Sequence, residues 1–331
     1  MLRTLDCRIE RWPLATPFRI SRGVKTAAEV VVVALEQGGA RGWGEAVPYA
    51  RYGETSESVR GQIVNATAKV TAGASREELT GLLPPGAARN AIDCAMWDLE
   101  ARSSGAVPGT LPPAASVTTA ITISLDTPEA MGRAAAAAIA SGARLLKAKL
   151  DAKEPADCLR AIRAAAPDVR LIADANEGWS LDVLLELQPL LHALRIAFVE
   201  QPLPAGRDAG LAGLALQVPL CADESCHTSA DLDHLAGRYS VVNVKLDKTG
   251  GLTEALRLIA AARARNFGVM VGCMVCTSLG VAPAFHIAAL VDFVDLDGPL
   301  WLREDRDGGV RMDGDGWLAP PSPALWGGAR E

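Results

Sequence analysis

Two different rhythms of apolar and polar positions divide the chain. Residues 2–12 alternate as a half-buried strand does, and AEVVVVALE (28–36) is a β-branched apolar run, so both predict strands. TPFRISRGVKT, between them, reads as a polar loop. A second polar loop, VPYARYGETSES, leads into a helix near 56–72. A further helix is predicted over 87–103, where Ala91, Ala95, Met96 and Leu99 share one face. Strands followed by helices predict a separate α+β domain over residues 1–112, with the Gly- and Pro-rich GAVPGTLPPAAS (105–116) as its linker.

Beyond that point strand and helix alternate. Short β-rich runs occur at SVTTAITISL, ARLLKAKL, VRLIADAN, IAFVEQPL, VPLCADES, VVNVKLD, FGVMVGCM and DFVDLDG, at intervals of about 22 to 28 residues. Helical stretches such as PEAMGRAAAAAIASG and LTEALRLIAAARARN lie between most of them, and Gly142 and Gly268 sit where helices stop. Eight buried strands with helical crossovers predict an α/β fold, a TIM-like (β/α)7β barrel over 113–300. An open doubly wound sheet is the alternative. No strand leads into GxGxxG, however, and polar residues decorate the ends of many strands rather than one switch point. Residues 301–331 predict a short hairpin with turns at Asp307-Gly308 and Asp313-Gly314, packing back on the N-terminal domain and completing it as a capping domain.

The 331 residues suit one large barrel plus a smaller domain. Lys and Arg number 33 against 39 Asp and Glu, a net charge of −6, which argues against a nucleic-acid partner. No apolar run approaches membrane-spanning length and no basic block flanks an apolar helix, so no membrane role is expected. The N-terminus lacks a signal-peptide pattern, which predicts a cytoplasmic protein. Seven irregularly spaced cysteines fit reduced thiols better than a disulfide frame. Cys273 and Cys276 form a CxxC, but no second Cys/His pair completes a zinc site, so they read as small residues on a strand. The sequence leaves a homo-oligomer open.

The chemistry gathers at the strand ends, where barrel enzymes carry their sites. Asp174, Glu200 and Asp223 end three consecutive strands. Carboxylates at the strand spacing of about 4.8 Å repel one another unless a cation joins them, and three hard oxygen donors suit Mg2+, with salt bridges to the nearby lysines as the alternative. Lys149 and Lys245 end strands two and six of the barrel, across from each other, with the carboxylate strands between. A substrate held there has one amine on each face, the arrangement that takes a proton from one side and returns one to the other. Lys147, two residues from Lys149, brings a like charge that disfavours the ammonium form. Lys248, of opposite parity, reads as a solvated or helix-packing lysine.

KAKL, DAN, VEQP, ADES, NVKLDKTGGL and GCMVCTS, in that order, resemble the enolase superfamily, and more closely its muconate-cycloisomerase-like subgroup. NAIDCAMWDLEAR is similar to the last capping-domain helix of that family. The resemblance implies one Mg2+ on Asp174, Glu200 and Asp223 and proton transfer by Lys149 and Lys245 through an enolate. DLDGPLW resembles the Asp-x-Asp motif of the dipeptide epimerases of the family. By that likeness Asp295 and Asp297 bind the α-ammonium of a dipeptide, L-Ala-D/L-Glu first among them, and Lys147 helps hold its carboxylate. TPFRISRG and YARYGETS resemble mobile capping loops. Arg22 is the candidate for gripping the glutamate side chain, with Arg19 and Arg51 as rivals. The alternatives within the subgroup are an o-succinylbenzoate synthase, an N-acylamino acid racemase, a cycloisomerase, or a dipeptide epimerase of other side-chain preference. Outside it stand a non-catalytic binding protein and a Schiff-base aldolase. Recycling of cell-wall peptides is implied by the family likeness alone.

Overall fold

The computed structural model describes residues 3–105, 111–112 and 114–328. Half of the linker expected at 105–116 lies outside them. The N-terminal part is a three-stranded antiparallel sheet of β1 (Thr4–Ile20), β2 (Gly23–Gln37) and β3 (Ala40–Ala46), followed by α1 (Ser56–Thr71), α2 (Arg76–Leu82) and α3 (Ala87–Ser104). β2 is buried on both faces, which is why it reads as an unbroken apolar run. Val31, Val33 and Leu35 pack with Ile63, Leu79 and Ile92 of the helices, while Val30 and Val32 join the main core. Thr55 with Ser58, and Ser75 with Glu78, form capping boxes that start α1 and α2.

Three features here differ from the expectation. The stretch TPFRISRGVKT is largely strand: β1 and β2 form a hairpin turning at Ser21 and Arg22, with a register shift between Pro13 and Phe18. Pro13, Pro17 and the polar tip broke the alternation that marks a strand. Neither β3 nor α2 was anticipated. β3 contributes few side chains, because Gly42 and Gly44 lie directly against α3. A Cβ on Gly44 would stand 2.1 Å from the Ala91 carbonyl oxygen, and one on Gly42 2.3 Å from that of Ala95.

The barrel follows as β4 (Ala120–Ile123), α4 (Pro128–Ala140), β5 (Leu145–Lys149), α5 (Pro155–Ala165), β6 (Arg170–Asp174), α6 (Leu181–Ala193), β7 (Ile196–Glu200), β8 (Leu220–Ala222), α7 (Leu232–Leu235), β9 (Val241–Lys245), α8 (Leu246–Thr249), α9 (Leu252–Ala264), β10 (Gly268–Gly272), α10 (Ser278–Phe285) and β11 (Phe293–Asp295). The eight strands are parallel neighbours in chain order. Between β7 and β8 the crossover carries only a short 3-10 turn, Ala209–Leu211. The seam between β11 and β4 is closed by side chains: Leu296 N donates to Thr119 Oγ1 (2.8 Å), and Thr122 N donates to Asp297 Oδ2 (2.7 Å). β12 (Arg311–Met312) and β13 (Leu318–Ala319) form the C-terminal hairpin. Arg306 just before it bonds Glu45 (2.9 Å), Glu10 (2.5 Å) and Thr277 (2.7 Å), and Trp326 Nε1 donates to the Cys94 carbonyl (3.2 Å).

Candidate active site

One apolar layer fixes the parity of everything above it. Ala120, Leu145, Ile172, Phe198, Cys221, Val241 and Met270 meet inside the barrel with Phe293 against them. Side chains two residues apart share a face of a strand. Two residues on stand Thr122, Lys147, Asp174, Glu200, Asp223, Asn243, Gly272 and Asp295. Two further stand Lys149, Asn176, Lys245 and Asp297. Pairing registers Lys149 with Asp174 and Asp174 with Glu200, and on the far side Gly272 with both Lys245 and Asp295. Lys149 on β5 and Lys245 on β9 are four strands apart either way round the ring of eight, so they face each other. Gly272 leaves no room for a side chain because Asn243 fills that space: a Cβ there would lie 2.6 Å from Asn243 Oδ1. Asn243 Nδ2 in turn donates to Glu200 Oε1 (2.8 Å).

The three carboxylates are almost fully buried and bound by ammonium groups. Lys147 Nζ lies 3.0 Å from Asp174, 2.8 Å from Glu200 and 2.8 Å from Asp295. Lys149 Nζ is 2.7 Å from the same Asp174 oxygen. A shared carboxylate therefore screens the repulsion expected between the two lysines. Lys245 Nζ is 2.7 Å from Asp223 Oδ2. Burial alone would lower the pKa of Lys147 and of Lys245. For Lys147 the field of Asp174, Asp295 and Glu200 outweighs it, and for Lys245 that of Asp223, so both are held well above the usual value. Asp174 and Asp223 are driven well below the carboxylate range by their lysines, against burial. Glu200 is pushed up to about 7 by burial and by the like charge of Asp174. Its Oε2 is the oxygen that meets Lys147 Nζ at 2.8 Å.

Among the described residues no three His, Cys, Asp or Glu side chains stand close enough to clasp one ion as they are, because the Lys147 ammonium sits between Asp174 and Glu200. The donor set nevertheless suits a hard divalent cation: three buried carboxylates on successive strands, whose charge the Lys147, Lys149 and Lys245 ammonium groups offset in the structure.

Lys248 corrects the sequence expectation. It is fully buried, and its Nζ donates to Asp223 Oδ1 (2.6 Å), the Asp223 carbonyl (2.5 Å) and the Asn243 carbonyl (2.9 Å). It lies past the end of β9, on α8, where strand parity no longer applies.

The pocket above, about 490 Å³, is lined by Lys147, Lys149, Asp223, Lys245, Asp295 and Asp297 below and by the β1–β2 hairpin above. Asp295 Oδ2 meets Lys147 (2.8 Å) while its Oδ1 is buried without a partner. Asp297 is pushed up to about 6 by burial and by Asp295. The hairpin tip is pinned down: Ser21 Oγ donates to the Asn176 carbonyl (3.0 Å), and Arg19 N donates to Ser124 Oγ (2.8 Å). Arg22 lines the pocket, but its guanidinium is already held by Glu224 (2.7 Å), the Asn176 carbonyl (2.7 Å), Glu177 (3.1 Å) and Tyr49 (2.9 Å). Arg51 forks onto Glu177 at 2.6 and 2.7 Å. Arg19 faces a neighbouring cleft instead.

Sequence reasoning did not single out Glu177, Gln201, Glu224 or Lys25. Gln201, at φ 35, accepts from Asp223 N (2.9 Å) and Ser225 N (3.0 Å) and so shapes the end of β8. Its place in VEQP beside Glu200 was the available signal.

A family model of the mandelate racemase/muconate lactonizing enzyme N-terminal domain matches residues 3–108, and one described as enolase C-terminal domain-like matches 130–322. The L-Ala-D/L-Glu epimerase of Escherichia coli (strain K12) is 49% identical over 309 residues, 92% of this chain and 96% of that protein. An N-acetyl-D-glutamate racemase of Pseudoalteromonas sp is 45% identical over 304 residues, 91% and 96% of the two chains. An enolase family member from Agrobacterium tumefaciens with homology to dipeptide epimerases, solved with sodium and L-Ala-L-Glu and an ordered loop, superposes with a TM-score of 0.94 at 48% identity, covering 98% of this chain and 100% of that one. A dipeptide epimerase from Enterococcus faecalis V583, complexed with Mg and L-Leu-L-Tyr, gives 0.90 at 27% identity, covering 96% and 97%.

Proposed function

The chain belongs to the enolase superfamily, in its mandelate racemase/muconate lactonizing enzyme branch, and is an isomerase of amino acid derivatives; from that footing we propose that it epimerises the α-carbon of the C-terminal residue of a dipeptide, L-Ala-D/L-Glu foremost. The observation that carries the reading is the pair Lys149 and Lys245, facing each other across the ring with Asp295 and Asp297 beside them in one pocket.

One Mg2+ held by Asp174, Glu200 and Asp223 supplies the positive charge that lowers the cost of ionising a carbon next to a carboxylate. The chain's own residues do the rest. Lys147 helps hold the C-terminal carboxylate. Asp295 and Asp297 offer two buried carboxylates to the α-ammonium and so orient the dipeptide. One lysine of the pair takes the α-proton from its face, and the other returns a proton to the opposite face, inverting that carbon alone. The hairpin over the mouth keeps water from the carbanionic stage. Seven unpaired cysteines support a cytoplasmic setting, with cell-wall peptide recycling as the role this substrate suggests.

A second reading is an N-acylamino acid racemase. The Pseudoalteromonas relative favours it, and so does the fact that Asp295 Oδ2 and Asp297 Oδ2 already have partners in the fold. The test is proton NMR of L-Ala-L-Glu in D2O with Mg2+. Loss of the glutamate α-proton signal together with appearance of L-Ala-D-Glu supports the proposal. No exchange on the dipeptide, with exchange on N-acetylglutamate, selects the second reading.

A further inference from the structure

The cations of the pocket are spoken for, with one exception. Lys147 and Lys149 share Asp174, Lys245 holds Asp223, Arg22 holds Glu224, and Arg51 holds Glu177. Lys25 also lines the pocket, yet among the described residues it has neither an ion-pair nor a hydrogen-bond partner; its Nζ stands 5.0 Å from the centre of the Tyr49 ring. It is not a free surface lysine. Burial lowers its pKa, Asp247 acts in the opposite sense, and Lys245 and Arg22 lower it further, so its charge is felt inside the site. Its direction is set by the hairpin: Lys25 pairs with Phe18 across β1 and β2, so the two side chains share one face. Phe18 stacks edge-on with Trp301 at 4.7 Å, and its ring lies 5.9 Å from Lys149 Nζ. Lys25 therefore hangs from the roof on the face that covers the proton-transfer lysines.

Resting on the dipeptide reading, we propose that Lys25, in place of Arg22, receives the side-chain carboxylate of the residue being epimerised and sets the preference for an acidic side chain. A partly desolvated ammonium with no direct ion-pair partner gains a charge-assisted hydrogen bond from such a carboxylate. Arg22 would have to give up Glu224 to do the same, leaving a carboxylate that is almost fully buried and already has one unpartnered oxygen. A neutral side chain would leave the Lys25 charge as it is now, unpaired beneath the roof.

The experiment measures kcat/KM for α-proton exchange on L-Ala-Glu, L-Ala-Met and L-Ala-Lys, and on N-acetylglutamate and N-acetylmethionine, with the wild type, Lys25→Met, Lys25→Arg, Lys25→Glu and Arg22→Met. A charge-assisted hydrogen bond of about 1.5–3 kcal/mol predicts that Lys25→Met lowers the Glu-to-Met ratio about 10- to 100-fold. Lys25→Arg keeps most of the ratio, and Lys25→Glu turns the preference toward L-Ala-Lys. Equal losses on Glu and Met substrates with Lys25→Met overturn the assignment, as does loss of the ratio with Arg22→Met alone. Failure of the dipeptide reading shows separately, as exchange confined to the N-acetyl series, and the ratio is then read in that series.

Discussion

Replacing Asp297 by Asn separates the two readings of the site. Its Oδ2 accepts from Thr122 N at 2.7 Å and from Trp301 Nε1 at 3.4 Å, so it both closes the barrel seam and faces the pocket. An asparagine can keep its carbonyl oxygen on Thr122 N, which preserves the seam and turns the amide NH2 toward the ligand. A dipeptide ammonium then meets a donor where it had a buried carboxylate. Loss of a hydrogen bond between charged groups costs about 1.5–3 kcal/mol, or about 10- to 100-fold in kcat/KM for L-Ala-Glu. N-acetylglutamate carries no charge there and should change by less than about threefold, about 0.6 kcal/mol. Because burial and Asp295 push Asp297 up to about 6, the wild-type kcat/KM for the dipeptide should also fall as the pH drops below about 6, where Asp297 gains a proton. The variant should lose the part of that limb that N-acetylglutamate does not share, since Glu200, pushed up to about 7, titrates with either substrate. The assay is proton exchange on both substrates from pH 5 to 8. Equal losses on both substrates, or a dipeptide-specific acid limb that persists in the variant, would refute the reasoning.

Asp247 tests the joint between the two parts of the fold: its Oδ1 accepts from Val47 N and from Asn90 Nδ2, both at 2.8 Å, and burial pushes it up to about 7. Unfolded, it ionises near about 3.9, so the native state binds the extra proton and the wild type loses stability as pH rises from about 4 to 7. Asp247→Asn should remove that slope, matching the wild type near pH 4 and exceeding it at pH 8 by at most about 4 kcal/mol in urea unfolding. A variant less stable than the wild type at pH 8 would contradict this. Gly44→Ala drives a Cβ into the Ala91 carbonyl of α3, where backbone cannot give way, and should cost at least about 1–3 kcal/mol in thermal unfolding. Gly61→Ala, on the exposed face of α1 with open space around it, is the control and should be neutral or stabilising by up to about 1 kcal/mol.

The barrel and the inward placement of its charged side chains were legible because both follow from a period of two. Once Leu145, Ile172 and Phe198 face inward, Lys147, Asp174 and Glu200 must do so too, and the sequence prints them in that order. Lys248 escaped because its position depends on the turn from β9 into α8, which parity does not describe. The β1–β2 hairpin was harder to read. Its tip is strand only because it lies on the barrel, through bonds such as Ser21 to Asn176, 155 positions away. β3 was missed since glycines that let a helix approach look like loop glycines until the helix is there. The roles of Glu177 and Glu224 belong to arginines from the other part of the fold, a pairing that no local pattern carries.

The central claim is that two amines on opposite faces share one α-proton position. Single-turnover exchange of L-Ala-L-Glu and L-Ala-D-Glu in D2O with Lys149→Ala and Lys245→Ala tests it directly. Each variant should lose epimerisation by at least about 100-fold, and each should keep deuterium exchange on one epimer only, the two variants keeping opposite epimers. Epimerisation that survives in either variant, or exchange retained on the same epimer by both, would contradict the account.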